Sequence, residues 1–160
     1  MILDKLDDRN LEEFPVVIFG SGPAGITTAL ELEKNNIKSL IIEAGEESYS
    51  ENSQKFYEGQ THGDPITDLS ASRLRQFGGT SGHWGGWAKP MAEYNFKSWP
   101  FNFDDLEPYI EKTSKILDIK NQFRKLSLNE YFDQIEFQYS DVKFANKFGN
   151  LIKNSDKILL

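Results

Sequence analysis

The chain has 160 residues, 27% of them charged and 38% hydrophobic, with 18 Lys and Arg against 25 Asp and Glu for a net charge of −7. The acidic excess sits in residues 1–80, which carry 7 basic and 14 acidic side chains against 11 and 11 in residues 81–160, so the basic footprint that DNA or RNA binding demands is missing. With no cysteine and only two histidines, His62 and His83, disulfides, thiolate metal sites and a cysteine nucleophile are excluded, and no metal site is assigned.

Length alone fits one ordinary domain of about 100–150 residues. Residues 1–13 read as an acidic leader; they lack the basic start and apolar core of a signal peptide. No stretch reaches the roughly 18 apolar residues of a membrane span, so a soluble, cytoplasmic protein is expected. The first strong signal is Pro15-Val16-Val17-Ile18-Phe19, an apolar run that reads as a buried parallel strand with Pro15 at its first position. Gly20-Ser21-Gly22-Pro23-Ala24-Gly25 follows, then a helical segment over about Ala24–Asn35 with Ile26, Ala29 and Leu30 at helix spacing. Asn36 is the expected left-handed stop. Ser39-Leu40-Ile41-Ile42-Glu43 reads as a second buried strand, closed by Ala44-Gly45. Strand, glycine turn, helix and strand make a βαβ unit.

Residues 46–74 are polar and aperiodic, and read as long loops with short helical pieces. They lead into Gly78-Gly79-Thr80-Ser81-Gly82-His83-Trp84-Gly85-Gly86, nine positions holding five of the chain's 12 glycines. No helix or central strand tolerates that density, so backbone there must approach something closely or adopt positive φ. Further on, Asn102 and Asp105 form a helix-start signature, and Pro108 is expected to split a first short turn from a main helix buried through Tyr109, Ile110, Thr113, Ile116 and Leu117. Ile135, Phe137 and Tyr139 alternate with polar residues as one half-exposed strand. A short helix is expected over 146–154 and a strand over 157–160.

The glycine turn carries the chemistry. Gly20 permits the tight turn, Gly22 lets backbone approach a pyrophosphate, and Gly25 allows close helix–strand packing. The helix start, with Ser21 and Ala24 beside those glycines, then faces phosphate with N–H groups and the positive end of its dipole. Glu43 lies 18 residues after Gly25, where its carboxylate can accept from both hydroxyls of an adenosine ribose; a phosphorylated ribose would be repelled, which disfavours NADP. The turn alone fits FAD or NAD. The position near the start of the chain, Pro23-Ala24 within the turn and Glu43-Ala44-Gly45 lean towards FAD, and the second glycine cluster decides for it. Glu46, Glu47 and Glu51 read as a solvated acidic face, and His62 as a loop residue.

Together with Arg75-Gln76-Phe77-Gly78-Gly79-Thr80-Ser81-Gly82-His83-Trp84 and the later Trp99-Pro100 and Leu106-Glu107-Pro108-Tyr109, these motifs resemble the glucose–methanol–choline (GMC) oxidoreductase family, most closely its bacterial sugar- and polyol-oxidising and pyranose-oxidase branches. The resemblance covers nearly the whole chain, most securely residues 14–110. It implies an α/β fold with a Rossmann-like βαβ FAD-binding unit, added loop-rich and helical segments, and an incomplete parallel sheet. It divides the chain into a leader (1–13), an FAD-binding part (14–90), the start of a helical, substrate-side insertion (91–154) and a truncated strand (155–160).

The same resemblance implies oxidation of CH–OH donors, a sugar, polyol or other alcohol. Gly78, Gly79, Thr80 and Ser81 would lie against the FAD pyrophosphate and flavin. Arg75 would neutralise phosphate or brace the loop, the alternative being a plain surface charge. His83 would either bond covalently to the flavin 8α carbon or pack beside the ring, with Trp84 next to it. Trp84, Trp87 and Trp99 could line a sugar pocket or serve packing. The family's catalytic histidine falls near the C-terminus of full-length members, so no catalytic residue is assigned in this chain. The 160 residues are expected to be the cofactor-binding N-terminal portion of a larger enzyme, with part of the Val16–Phe19 strand left exposed and the isolated product prone to aggregate. The alternative is a non-catalytic flavin- or nucleotide-binding module completed by a partner chain.

Overall fold

The first helix is fixed at both ends by its own sequence. In the computed structural model, which describes residues 11–60, 62–63, 67–120, 125–130, 133–135, 137–140 and 158–159, helix α1 spans Pro23–Lys34. Pro23 occupies the first helical position, where a missing N–H is harmless. At the other end Asn36 takes a left-handed φ of 59°, and the N–H groups of Asn36 and Ile37 donate to the carbonyls of Glu33 and Leu32 at 2.9 Å each. That Schellman closure is the stop expected of an asparagine in this place.

Strands β1 (Val16–Phe19) and β2 (Ser39–Ile42) flank α1 in sequence and pair in parallel, Val16 opposite Ser39 through Phe19 opposite Ile42. A later strand, Ile158–Leu159, pairs in parallel with Ser39–Leu40 on the other side of β2, so the order is β1, β2, then that strand. The fold here is mixed helix and strand around a small parallel sheet. Ala29 of α1 packs on Ile41, with Ile18, Ile26 and Leu30 half-buried around them. Helix α1 covers only the sheet face carrying Ile18 and Ile41. On the other side of β1, Val17 is 42% and Phe19 81% exposed, so among the described residues β1 is an edge strand with one uncovered side rather than a strand buried on both faces.

Three short elements follow in the polar stretch and glycine cluster. Helix α2 is Glu51–Gln54, capped by Ser50, and runs on as a 3-10 turn over Lys55–Tyr57. Helix α3 is Leu69–Ser72, and a 3-10 turn spans Gly79–Gly82. The described residues of 46–74 are therefore loops with short helical pieces, as their composition predicts.

The chain divides into two units, residues 1–84 with 144–160, and residues 85–143. The second unit holds strand β3 (Trp87–Ala88), helix α4 (Phe103–Leu117), β4 (Lys125–Ser127), β5 (Asp133–Ile135) and β6 (Gln138–Tyr139); Ile158–Leu159 is β7 of the first unit. Helix α4 begins with a full capping box: Asn102 accepts from the Asp105 N–H at 3.2 Å, and the Asp105 carboxylate accepts from the Asn102 N–H at 2.9 Å. It ends on Asp118 at φ 57°, with the Ile119 N–H donating to the Ser114 carbonyl.

Pro108 does not split this helix, contrary to the sequence expectation. Its missing N–H leaves one carbonyl, that of Asp104, without a helical donor near the exposed start of α4, and the capped ends and apolar face hold the helix through it. The single strand expected over 135–139 is also corrected. Asp133–Ile135 pairs antiparallel with β4, whereas Gln138–Tyr139 pairs antiparallel with β3, so two short strands join different partners. Trp87 and Tyr139, opposite each other in the β3–β6 pair, bring their rings together in a tilted contact with centroids 5.0 Å apart. Phe96 is buried against Trp99, Phe101 and Phe103, and an apolar cleft of about 200 Å³ opens between Met91, Phe96, Phe103, Leu106, Ile110 and Leu117. The helix expected over 146–154 lies outside the described residues. No helix among the described residues is long and apolar enough to cross a membrane.

Candidate functional site

The site is built where β1 ends. The parallel ladder runs one residue past the strand, with the Gly20 N–H donating to the Ile42 carbonyl at 2.8 Å. Gly20 then turns the chain out of the sheet at φ 96°, a conformation a side chain would strain. Gly22 caps α1 with an ordinary φ of −66°, and a Cβ built on it meets nothing within 4 Å. A Cβ on Gly25 would lie 2.1 Å from the Gly20 carbonyl oxygen and 3.3 Å from Ile18. Gly25 is thus required by the fold, while Gly22 leaves open space above the helix start, where Ala24 is exposed.

Ser21 is wholly buried and joins three segments. Its hydroxyl donates to Glu43 Oε2 at 2.6 Å, and its N–H donates to the same oxygen at 2.8 Å. Glu43 Oε1 accepts from the Gly45 N–H at 2.8 Å. Burial raises the Glu43 pKa, but the hydrogen bonds from the Ser21 hydroxyl and N–H and from the Gly45 and Ala44 N–H groups outweigh it, and the carboxyl lies below its ordinary value. A carboxylate offers about four acceptor positions, and the bonds from the Ser21 hydroxyl, the Ser21 N–H and the Gly45 N–H take three of them, with the Ala44 N–H as a further donor. These bonds fix the carboxylate at the end of β2, where the sequence expects it.

The second glycine loop is docked on the first. The Gly78 N–H donates to Ser21 Oγ at 3.0 Å, and Gly79 lies so close that its Cβ would be 3.8 Å from the Gly22 Cα. Gly78 and Gly79 both have positive φ, 80° and 59°, as the glycine density predicts. Thr80 Oγ1 accepts from the Leu74 N–H at 3.2 Å, and Ser81 Oγ donates to the Gly78 carbonyl at 2.7 Å. Those two side chains close the loop on itself, while Gly78 and Gly79 face Ser21 and Gly22.

Gly45 sets the approach of this loop. The Phe77 N–H donates to the Glu46 carbonyl at 2.9 Å, Glu46 and Gln76 form a parallel bridge, and a Cβ on Gly45 would come within 2.4 Å of the Arg75 carbonyl. The Arg75 side chain is engaged by α2 and the turn that follows it. Its Nη1 donates to Ser53 Oγ at 2.8 Å and its guanidinium lies 4.5 Å from the centre of the Phe56 ring. His83 follows the 3-10 turn and is exposed, as is Trp84. His62 is an exposed loop residue. Trp87 and Trp99 belong to the aromatic pairs of the second unit and do not line its cleft.

Two residues escaped the sequence reading. Ser53 and Gln54, adjacent on α2, are buried, and both bind the segment leading to the second loop. Gln54 Nε2 donates to the carbonyls of Ser70 and Arg73 at 2.7 and 2.6 Å, and its Oε1 accepts from the Arg75 N–H at 3.1 Å. Ser53 Oγ donates to the Arg75 carbonyl at 3.1 Å. Nothing in a four-residue polar helix announces such partners 16 to 22 residues away; the one available signal was a glutamine and a serine in a segment otherwise lacking a core. Among the described residues, no three His, Asp or Glu side chains come together as a metal site. No family model matches this chain, and neither a curated protein nor a solved structure is significantly similar to it.

Proposed function

We propose that these residues form the FAD-binding, Rossmann-like part of a flavin-dependent oxidoreductase of GMC type, acting on the CH–OH group of a sugar, polyol or other alcohol. The observation that carries this reading is the Ser21 bridge, which packs a second glycine loop against the open Gly22 turn at the start of α1. One glycine turn at a helix start suits any dinucleotide; two loops stacked at the carboxyl ends of parallel strands suit a cofactor with an extended second half.

The fit of FAD rests on the space over Gly22 and on the donors around it. Pyrophosphate would lie at the start of α1, where Gly22 admits it and the helix dipole favours it. Glu43 would accept from the ribose, and its negative charge would oppose a phosphorylated ribose. Gly78 and Gly79 would hold the second loop over the same groups, and exposed His83 and Trp84 would lie towards the flavin. When bound, FAD supplies a two-electron acceptor for the hydride of the alcohol carbon. This chain's residues hold and orient it, and the base that takes the hydroxyl proton is assigned to none of them.

The test is to express the chain with FAD and follow flavin absorbance before and after acid precipitation. Yellow protein that releases its flavin supports non-covalent binding. Flavin retained in the pellet, and lost in His83→Ala, supports attachment through His83. A folded, colourless chain that binds NAD overturns the reading.

A further inference from the structure

We infer that Ser53 and Gln54 are positioning residues for the second glycine loop, so that the grip on a dinucleotide depends on helix α2, which itself lies outside both glycine loops. The inference rests on the dinucleotide reading for its ligand and on the hydrogen bonds of α2 for its geometry.

The Gln54 amide is buried with both N–H groups and its carbonyl in use, and two carbonyl acceptors plus one N–H donor fix which way it faces. A buried amide satisfied in this way holds its partners to a narrow geometry, because leaving any one unpaired is costly. Its partners are Ser70, Arg73 and Arg75, and Ser53 grips the Arg75 carbonyl and guanidinium as well. The stacking of Arg75 on Phe56, in the turn that continues α2, adds a third attachment. All of these bonds fall just before Gln76, Phe77 and Gly78. Beyond Arg75 the loop is held by the Phe77–Glu46 and Gly78–Ser21 bonds, both made by backbone N–H groups that must arrive in register. Shifting residues 73–75 therefore shifts Gly78 and Gly79 relative to Gly22. Support of this kind acts through the residues it places rather than by contact.

The experiment uses the full chain with three variants. Gln54→Glu keeps the size and the acceptor for the Arg75 N–H but removes the donors to Ser70 and Arg73. Ser53→Ala removes one hydroxyl, and Ser53→Thr retains it. Hydrogen exchange without ligand reads the loop directly, and titration with FAD reads the grip. The expected result is faster exchange at Phe77, Gly78 and Gly79 in Gln54→Glu and Ser53→Ala, with α1 protection unchanged, FAD binding weakened about tenfold, and both restored in Ser53→Thr. Unchanged loop exchange overturns the inference, as does faster exchange with unchanged FAD affinity. Loss of α1 protection in both Gln54→Glu and Ser53→Ala overturns it too, because the residues would then serve the whole fold. If the wild-type chain binds no FAD, the dinucleotide reading fails, and the exchange arm still decides whether α2 places the loop.

Discussion

Ser21 and Gly78, 57 residues apart, are joined by a single hydrogen bond of 3.0 Å whose acceptor hydroxyl simultaneously donates to Glu43. The hydroxyl is therefore the hinge pin between two glycine loops and the end of β2. Replacing it with a methyl group, Ser21→Ala, leaves the Gly78 N–H without its acceptor and Glu43 without its shortest bond. Chemical denaturation is expected to show a loss of about 1–3 kcal/mol. An unchanged midpoint would mean the hydroxyl carries no net stabilisation.

Gly25 is required by the fold, whereas Gly22 borders open space, which the proposed cofactor would use. Gly25→Ala places a methyl 2.1 Å from backbone and is expected to destabilise by about 3 kcal/mol or more. Gly22→Ala meets nothing and has a compatible φ, so its thermal midpoint should stay near wild type while FAD affinity drops. Equal FAD binding by Gly22→Ala and wild type counts against phosphate at this turn.

Glu43 makes stability depend on acidity. Its folded pKa is depressed below the unfolded value of about 4.3, so the stabilisation is fully present above that pH and is lost as pH falls through the lower, folded value. Melting of wild type against Glu43→Gln between neutral pH and strong acid isolates this contribution. The gap should be widest near neutral pH and narrow once Glu43 is protonated; a gap that stays constant through the acid range contradicts the assignment.

Ser39 offers a gain. It is 1% exposed in β2, and its hydroxyl has no hydrogen-bond partner among the described residues. Ser39→Ala removes a buried unpaired polar group and is expected to stabilise by about 1 kcal/mol in thermal or denaturant unfolding.

In the second unit, Pro108→Ala restores the missing donor to the Asp104 carbonyl and should raise the stability of α4 by about 1–3 kcal/mol, whereas Asn102→Ala breaks the capping box and costs about 1 kcal/mol. Helix content followed by circular dichroism during unfolding checks both. A helix that ended at Pro108 would gain nothing from the first change.

What was legible in the sequence was whatever depended on neighbours in the chain. Val16–Phe19, the glycines around Ser21, the Ala29 stripe and the left-handed Asn36 each follow from local sterics, and the structure has them there. The course of α4 through Pro108 is not legible locally, because the caps at Asn102 and Asp118 that hold the helix lie at its two ends. The strand over 135–139 misled because alternation predicts a strand but not where its partner changes. Glu43 was placed at the end of β2 correctly, yet its bonds to Ser21 depend on where a turn 22 residues earlier folds back. Gln54 and Ser53 lay beyond reach for the same reason: their acceptors are backbone carbonyls, which every residue carries and no pattern marks.

The bare α-carbon of Gly45 has a consequence for how damage to this site would present itself. Any side chain there collides with the backbone of Arg75 and Gln76 and forces the two glycine loops apart. In a mutational scan selecting for retention of the proposed cofactor, Gly45 should rank with Gly20 and Gly22, although it stands behind the loop rather than in front of it. A map of sensitive positions drawn from such a scan would trace the clearance between backbones as clearly as the outline of the ligand.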